Sequence, residues 1–124
     1  MKNSFICVFY YTFVRQKTIK MKILHTSDWH LGHVLYNNDR GEEQQLMLEQ
    51  IISIVQDHKP DVFLIAGDIY HTSQPSSSIQ TLFANSIMSL HNANPKMQII
   101  ITAGNHDSAI KHEIFRQPWQ ALNV

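Results

Sequence analysis

The sequence predicts an α/β fold: a βαβαβ arrangement on a mainly parallel sheet. Three short, unbroken apolar runs, at 23–24, 62–66 and 99–101, have the length and the Ile/Val/Leu content of strands buried on both faces. Two longer segments between them, 40–57 and 76–92, repeat apolar residues at helical spacing. The strict alternation of the two kinds of segment implies parallel strands joined by right-handed crossovers.

The elements follow in chain order. Residues 5–14 read FICVFYYTFV, after Lys2. This run is too short to cross a bilayer as a helix. It resembles the core of a signal peptide, but Arg15, Gln16 and Lys17 stand where small cleavage-site residues belong. A second methionine, Met21, opens the ordered pattern MKILHTSDWH. Residues 1–20 are therefore expected to be a disordered or non-native extension, with the folded part spanning 21–124.

Ile23 and Leu24 open the first strand, which ends in the polar loop Thr26-Ser27-Asp28. The first helix carries Leu48, Ile51, Ile52 and Val55 on one face. Asp39, with Glu42 three residues on, suits its N-terminal cap, and Glu42 and Glu43 suit the positive end of its dipole. The run VFLIA at 62–66 is bounded by Pro60 and Gly67. The second helix carries Ile79, Leu82, Phe83, Ile87 and Leu90, with Ser76–Ser78 as capping residues and Asn94-Pro95 as its stop. The third strand lies in MQIIITA and ends at Gly104. Met47, Met88 and Met97 read as core.

Bulk composition narrows the function classes. A chain of 124 residues with 44% apolar content suits one folded domain and not a disordered one. Ten basic residues balance ten acidic ones, so there is no overall electrostatic footprint for nucleic acid. A DNA substrate would need charge that is locally clustered or supplied by a partner. The single cysteine, Cys7, precludes an intrachain disulfide and fits a reducing, cytoplasmic compartment. The eight histidines stand out, because several sit beside Asp, Asn and Gly at strand exits.

In a parallel sheet the site lies outside the carboxyl ends of the strands. All three exits here carry ligand-type residues. The first is Asp28-Trp29-His30. In an extended loop, residues two apart face the same side, so Asp28 and His30 would converge with Trp29 turned away. A carboxylate with an imidazole suits Mn, Fe or Zn more than Ca. The second exit is Gly67-Asp68, where the carboxylate could bridge two ions. The third is Gly104-Asn105-His106-Asp107, which offers a neutral oxygen, a proton-donating ring and a carboxylate that could orient the ring. Each cluster alone reads equally well as an ordinary turn. Three such clusters on one sheet edge point instead to in-line attack at phosphorus, where two ions about 3.5–4 Å apart clamp the attacking and leaving oxygens.

With these residues in view, HTSDWHLG (25–32), AGDIYHTSQPS (66–76) and TAGNHDS (102–108) together resemble the calcineurin-like metallophosphoesterases, whose signature joins Asp-x-His, Gly-Asp and Gly-Asn-His-Asp/Glu. The resemblance covers 21–124, and the flanking residues favour the DNA-nuclease branch of the family. It implies a metallophosphoesterase-type βαβαβ fold, truncated here before the C-terminal half of the domain, and two divalent ions, most simply Mn. Asp28 and His30 would bind the first ion, Asp68 would bridge both, and Asn105 would bind the second. His106 would stabilise the transition state or protonate the leaving oxygen, and His71 would support it near the phosphate. The implied partners are DNA and an ATPase subunit, with the nuclease as a homodimer inside a heterotetramer and no membrane. The family's later histidine ligands, including a Gly-His-x-His motif, have no counterpart in this chain. By the resemblance, the 124 residues alone are expected to hold metal poorly and to be inactive.

Other residues have plainer readings. His25 reads as a packed strand histidine, and His58, His91 and His112 as solvated residues near helix ends. His33 reads equally as a loop residue near substrate or as a surface one. Trp29 is expected to pack against its loop more than to stack on a base. Phe83, Ile87, Phe115 and Trp119 are candidates for a homodimer contact, against the equal alternative that they cover the sheet. The rival functions are a phosphatase or cyclic-nucleotide phosphodiesterase of the same family, and a non-catalytic fragment serving as an assembly surface.

Overall fold

Two right-handed crossovers that step in the same direction across a parallel sheet leave their helices on one face. That geometry organises the protein, here described from a computed structural model covering residues 20–104, positions 120 and 124, and the backbone of residues 7–12. The elements are β1 (Cys7–Thr12), β2 (Lys20–Ser27), β3 (Val34–Leu35), β4 (Asn38–Asp39), α1 (Gly41–His58), β5 (Val62–Ala66), α2 (Ser77–Ala93) and β6 (Gln98–Thr102). The main sheet runs β1-β2-β5-β6, with β2, β5 and β6 parallel. Their register is flush: Ser27 pairs with Ala66, and Ala66 with Thr102. All three exits therefore leave the sheet at one level.

The core lies under the shared helical face. Leu24, Phe63, Ile65 and Ile99 of the sheet meet Leu48, Ile51 and Val55 of α1 and Phe83, Ile87 and Leu90 of α2 in one buried cluster. The helices form for the reasons their spacing predicts. Ser76 Oγ accepts from the Ile79 N–H at 3.4 Å and caps α2. At α1 the cap differs from expectation: Arg40 holds the N-cap position, and Asp39 instead accepts from the Gly41 N–H at 2.9 Å. Lys59 closes α1 in a left-handed turn, its N–H donating to Val55 O at 2.9 Å.

Four expectations need correction. The strands are not buried on both faces: Phe63 and Ile65 are buried, while Val62, Leu64 and Ala66 are only partly so and Ile100 is 43% exposed. An unbroken apolar run does not by itself say how many faces are covered, and here both helices share one. Residues 7–12 are not disordered, because this β-branched and aromatic run pairs antiparallel along the β2 edge, from Cys7↔His25 to Thr12↔Lys20. Phe83 and Ile87 do not form an outer contact surface; at 1% and 0% exposure they cover the sheet. Their proposed companions Phe115 and Trp119 lie outside the described residues. Met88 is exposed, whereas Met97 is buried as expected.

Candidate metal centre

Pairing between β2 and β5 does not stop where the strands end. The Asp28 N–H donates to Gly67 O at 3.3 Å, the His30 N–H to Asp68 O at 2.9 Å and the Leu31 N–H to Ile69 O at 2.8 Å. The His71 N–H returns to Leu31 O at 3.0 Å. The two exit loops are thus zipped together, and this zipper brings their side chains to one place. Asp28, His30 and Asp68 each offer a ligand atom within 4.8 Å of the others. His30 Nε2 stands 3.6 Å from Asp28 Oδ1 and 4.0 Å from Asp68 Oδ2. Ser27 Oγ donates to Asp28 Oδ2 at 2.8 Å, so the carboxylate is oriented from behind.

The convergence is reached by a different route from the one expected. Asp28 and His30 are not extended: both have positive φ, 57° and 46°, and Asp68 joins them at 48°. Six non-glycine residues among those described have positive φ. Tyr36 and Asn37 form the β3–β4 turn, and Lys59 ends α1, so the other three are the candidate ligands. Each left-handed residue costs roughly 1–2 kcal/mol, somewhat less for Asp. Backbone held in that state against its preference clusters at functional sites.

The third exit docks on the second through bare backbone. The Gly67 N–H donates to Thr102 O at 3.0 Å. A Cβ on Gly67 would stand 3.0 Å from Gly104 Cα, and a Cβ on Gly104 would overlap the backbone nitrogen and the carboxylate of Asp68. Glycine at 104 is what lets β6 deliver its exit against Asp68. Asn105, His106 and Asp107 follow directly and lie outside the described residues.

Two more expected residues are placed beside the cluster. The His71 ring centroid is 5.8 Å from that of His30 and 4.4 Å from that of His33, the latter pair tilted by 40°. His33 is therefore a site-proximal histidine. Trp29 belongs to the core: 3% exposed, it donates from Nε1 to Thr26 Oγ1 at 2.9 Å and meets Phe83 edge-on. Sequence reasoning missed Gln44. It is a polar residue on the stripe 44, 48, 51, 55, and its place in that apolar spacing was the available signal.

The donor set suits a divalent transition-metal ion. Two carboxylates and an imidazole combine hard oxygen with borderline nitrogen. Ligand atoms about 2.0–2.2 Å from one ion lie within about 4.4 Å of each other. Small side-chain rotations would bring the present spacing into that range.

Comparison with known proteins agrees with this chemistry. The chain is similar to the SbcD subunit of nuclease SbcCD from Escherichia coli (strain K12), 39% identical over 88 residues, which are 71% of this chain and 22% of that protein. It is similar to the SbcD subunit of the same nuclease in Rhodobacter capsulatus, 38% identical over 93 residues, 75% of this chain and 23% of that one. The chain thus spans a little over a fifth of the length of these curated relatives. Residues 21–123 match the family model described as calcineurin-like phosphoesterase. A match running from the second methionine almost to the last residue places the three strand exits in a known setting: the chain belongs to the calcineurin-like phosphoesterase family.

Proposed function

We propose that the chain supplies part of the metal-binding centre of a DNA nuclease of the SbcD type, which hydrolyses phosphodiester bonds in DNA repair and recombination. One observation carries the proposal: Asp28, His30 and Asp68, from two adjacent strand exits, bring ligand atoms within 4.8 Å of one another on left-handed backbone. Asp28 and His30 are assigned to one ion, Asp68 to a bridge between two, and Asn105 to the second. When bound, the two divalent ions, most simply Mn, would supply charge neutralisation and an activated water. The protein's own residues orient the centre. Ser27 turns the Asp28 carboxylate, and the β2–β5 zipper sets the His30 ring against both carboxylates. His106 is assigned the proton or charge-stabilising role at the leaving oxygen. His71, stacked with His33, is assigned a supporting place on the phosphate side.

The relatives' place in the SbcCD nuclease supports an SbcC-type ATPase as partner, in a heterotetramer built on a nuclease homodimer. The balanced charge of this chain is consistent with phosphate-gripping residues coming from that partner or from elsewhere in the polypeptide. The single cysteine supports a cytoplasmic location, and no described helix is long and apolar enough to cross a membrane.

The test is Asp68→Asn in a polypeptide extended to the length of the relatives. Mn-dependent cleavage of linear DNA is expected to fall to the level of a metal-free control, with binding of the ATPase partner retained. Undiminished cleavage would refute the assignment. Hydrolysis of small phosphoesters with linear DNA untouched would establish a phosphatase or cyclic-nucleotide phosphodiesterase instead.

A further inference from the structure

Gln44 is a buried polar residue, 8% exposed, on the core-facing stripe of α1. Both ends of its side-chain amide are committed. Nε2 donates to His30 O at 2.9 Å, and Oε1 accepts from the Gly32 N–H at 3.0 Å. One planar group thus spans Leu31 and fixes the peptide on either side of it. Leu31 itself is buried and pairs with Ile69. His30 needs such support because its backbone is left-handed, a state that its Cβ disfavours. Its N–H is already tied to Asp68 O. Gln44 ties its carbonyl, so His30 is held at both ends and its ring direction follows.

We propose that Gln44 is a positioning residue for the metal centre: it holds the His30 imidazole in ligating orientation by clamping the 30–32 backbone. The proposal rests on the reading of Asp28, His30 and Asp68 as metal ligands. Burying an amide on an apolar stripe is unfavourable unless every polar atom is paired. An apolar residue would fill the same space, so packing alone does not account for glutamine. Partners that orient ligands change metal affinity even though they never touch the ion.

The test compares three variants of the chain. Gln44→Met keeps the length and loses both hydrogen bonds. Gln44→Glu keeps an acceptor for Gly32 and loses the donor to His30. Leu48→Ala, one turn further on the same stripe, damages the core without touching the loop. Two readouts are used: native-state amide exchange, and paramagnetic broadening of amide resonances during titration with Mn alone. In Gln44→Met, exchange at Gly32 is expected to accelerate about tenfold relative to Val55 and Phe63, the equivalent of one lost hydrogen bond. The Mn concentration that broadens amides 28–32 should rise about 10–100-fold. Gln44→Glu should fall between Gln44→Met and the unsubstituted chain. Leu48→Ala should accelerate exchange at all three amides together and leave the Mn dependence unchanged. An unaltered Mn dependence in both Gln44 variants would overturn the role given to Gln44 alone. Absence of broadening at 28–32 in the unsubstituted chain would overturn the metal assignment itself.

Discussion

Gly104→Ala is the substitution with the sharpest structural consequence. The added Cβ would fall on the backbone nitrogen and carboxylate of Asp68, with no flexible chain end that could swing aside. Gly67 closes the other direction, because its own Cβ position lies only 3.0 Å from Gly104 Cα. Either β6 retreats from β5 or Asp68 leaves its left-handed conformation. Overpacking of this kind costs about 1–3 kcal/mol. At an unfolding entropy of about 2.1 cal/mol/K per residue, that is a fall in Tm of about 4–12 °C for this chain. Gly41→Ala is the matched control: the new Cβ would sit 3.4 Å from Asp39 Oδ1, an ordinary contact, at the start of α1. There alanine should stabilise by about 0.4–1 kcal/mol through the unfolded chain and helix propensity. Thermal melts of the two variants should move in opposite directions, and Gly104→Ala should also weaken Mn-dependent broadening at residue 68. A Gly104→Ala chain that melts with the parent and keeps its metal response would refute the docking of β6 on Asp68.

Two further substitutions test the packing that carries the site. Phe83→Ala, which removes a 1% exposed ring set edge-on to Trp29 and Tyr70, should cost about 3–5 kcal/mol in urea unfolding. The loss should be independent of protein concentration; a concentration-dependent loss would restore Phe83 to a contact between copies. Thr26→Val keeps the shape of a fully buried side chain but strips the acceptor from Trp29 Nε1, and should cost about 1–3 kcal/mol. A neutral result in urea unfolding would mean that the indole finds another partner.

The alternation of apolar runs and amphipathic segments made the parallel sheet, its two helices and its three exits legible in the sequence, because burial imposes those periods directly. The exits' chemistry was legible for the same reason: Asp28, His30 and Asp68 stand just past the ends of β2 and β5. What was not legible depended on contacts between distant segments. Left-handed backbone at Asp28, His30 and Asp68 is imposed by the β2–β5 zipper, not by local propensity. The single covered face follows from crossover direction, which no run of Val and Ile reports. The pairing of residues 7–12 depends on an open β2 edge. Phe83 and Ile87 look alike in sequence whether they face a sheet or a second copy. Gln44 was legible in principle, since a glutamine on the 44, 48, 51, 55 stripe must have a buried partner or be an exception.

The central claim is that Asp28, His30 and Asp68 form one metal-binding cluster. Paramagnetic broadening during a Mn titration of the chain tests it most directly, because it locates even weak binding residue by residue. Amides at 28–32 and 67–69 should broaden first, and Asp68→Asn should abolish the effect while leaving the fold intact. Broadening that begins instead at the exposed carboxylates of Glu42, Glu43 and Asp57, with residues 28–32 unaffected, would contradict it.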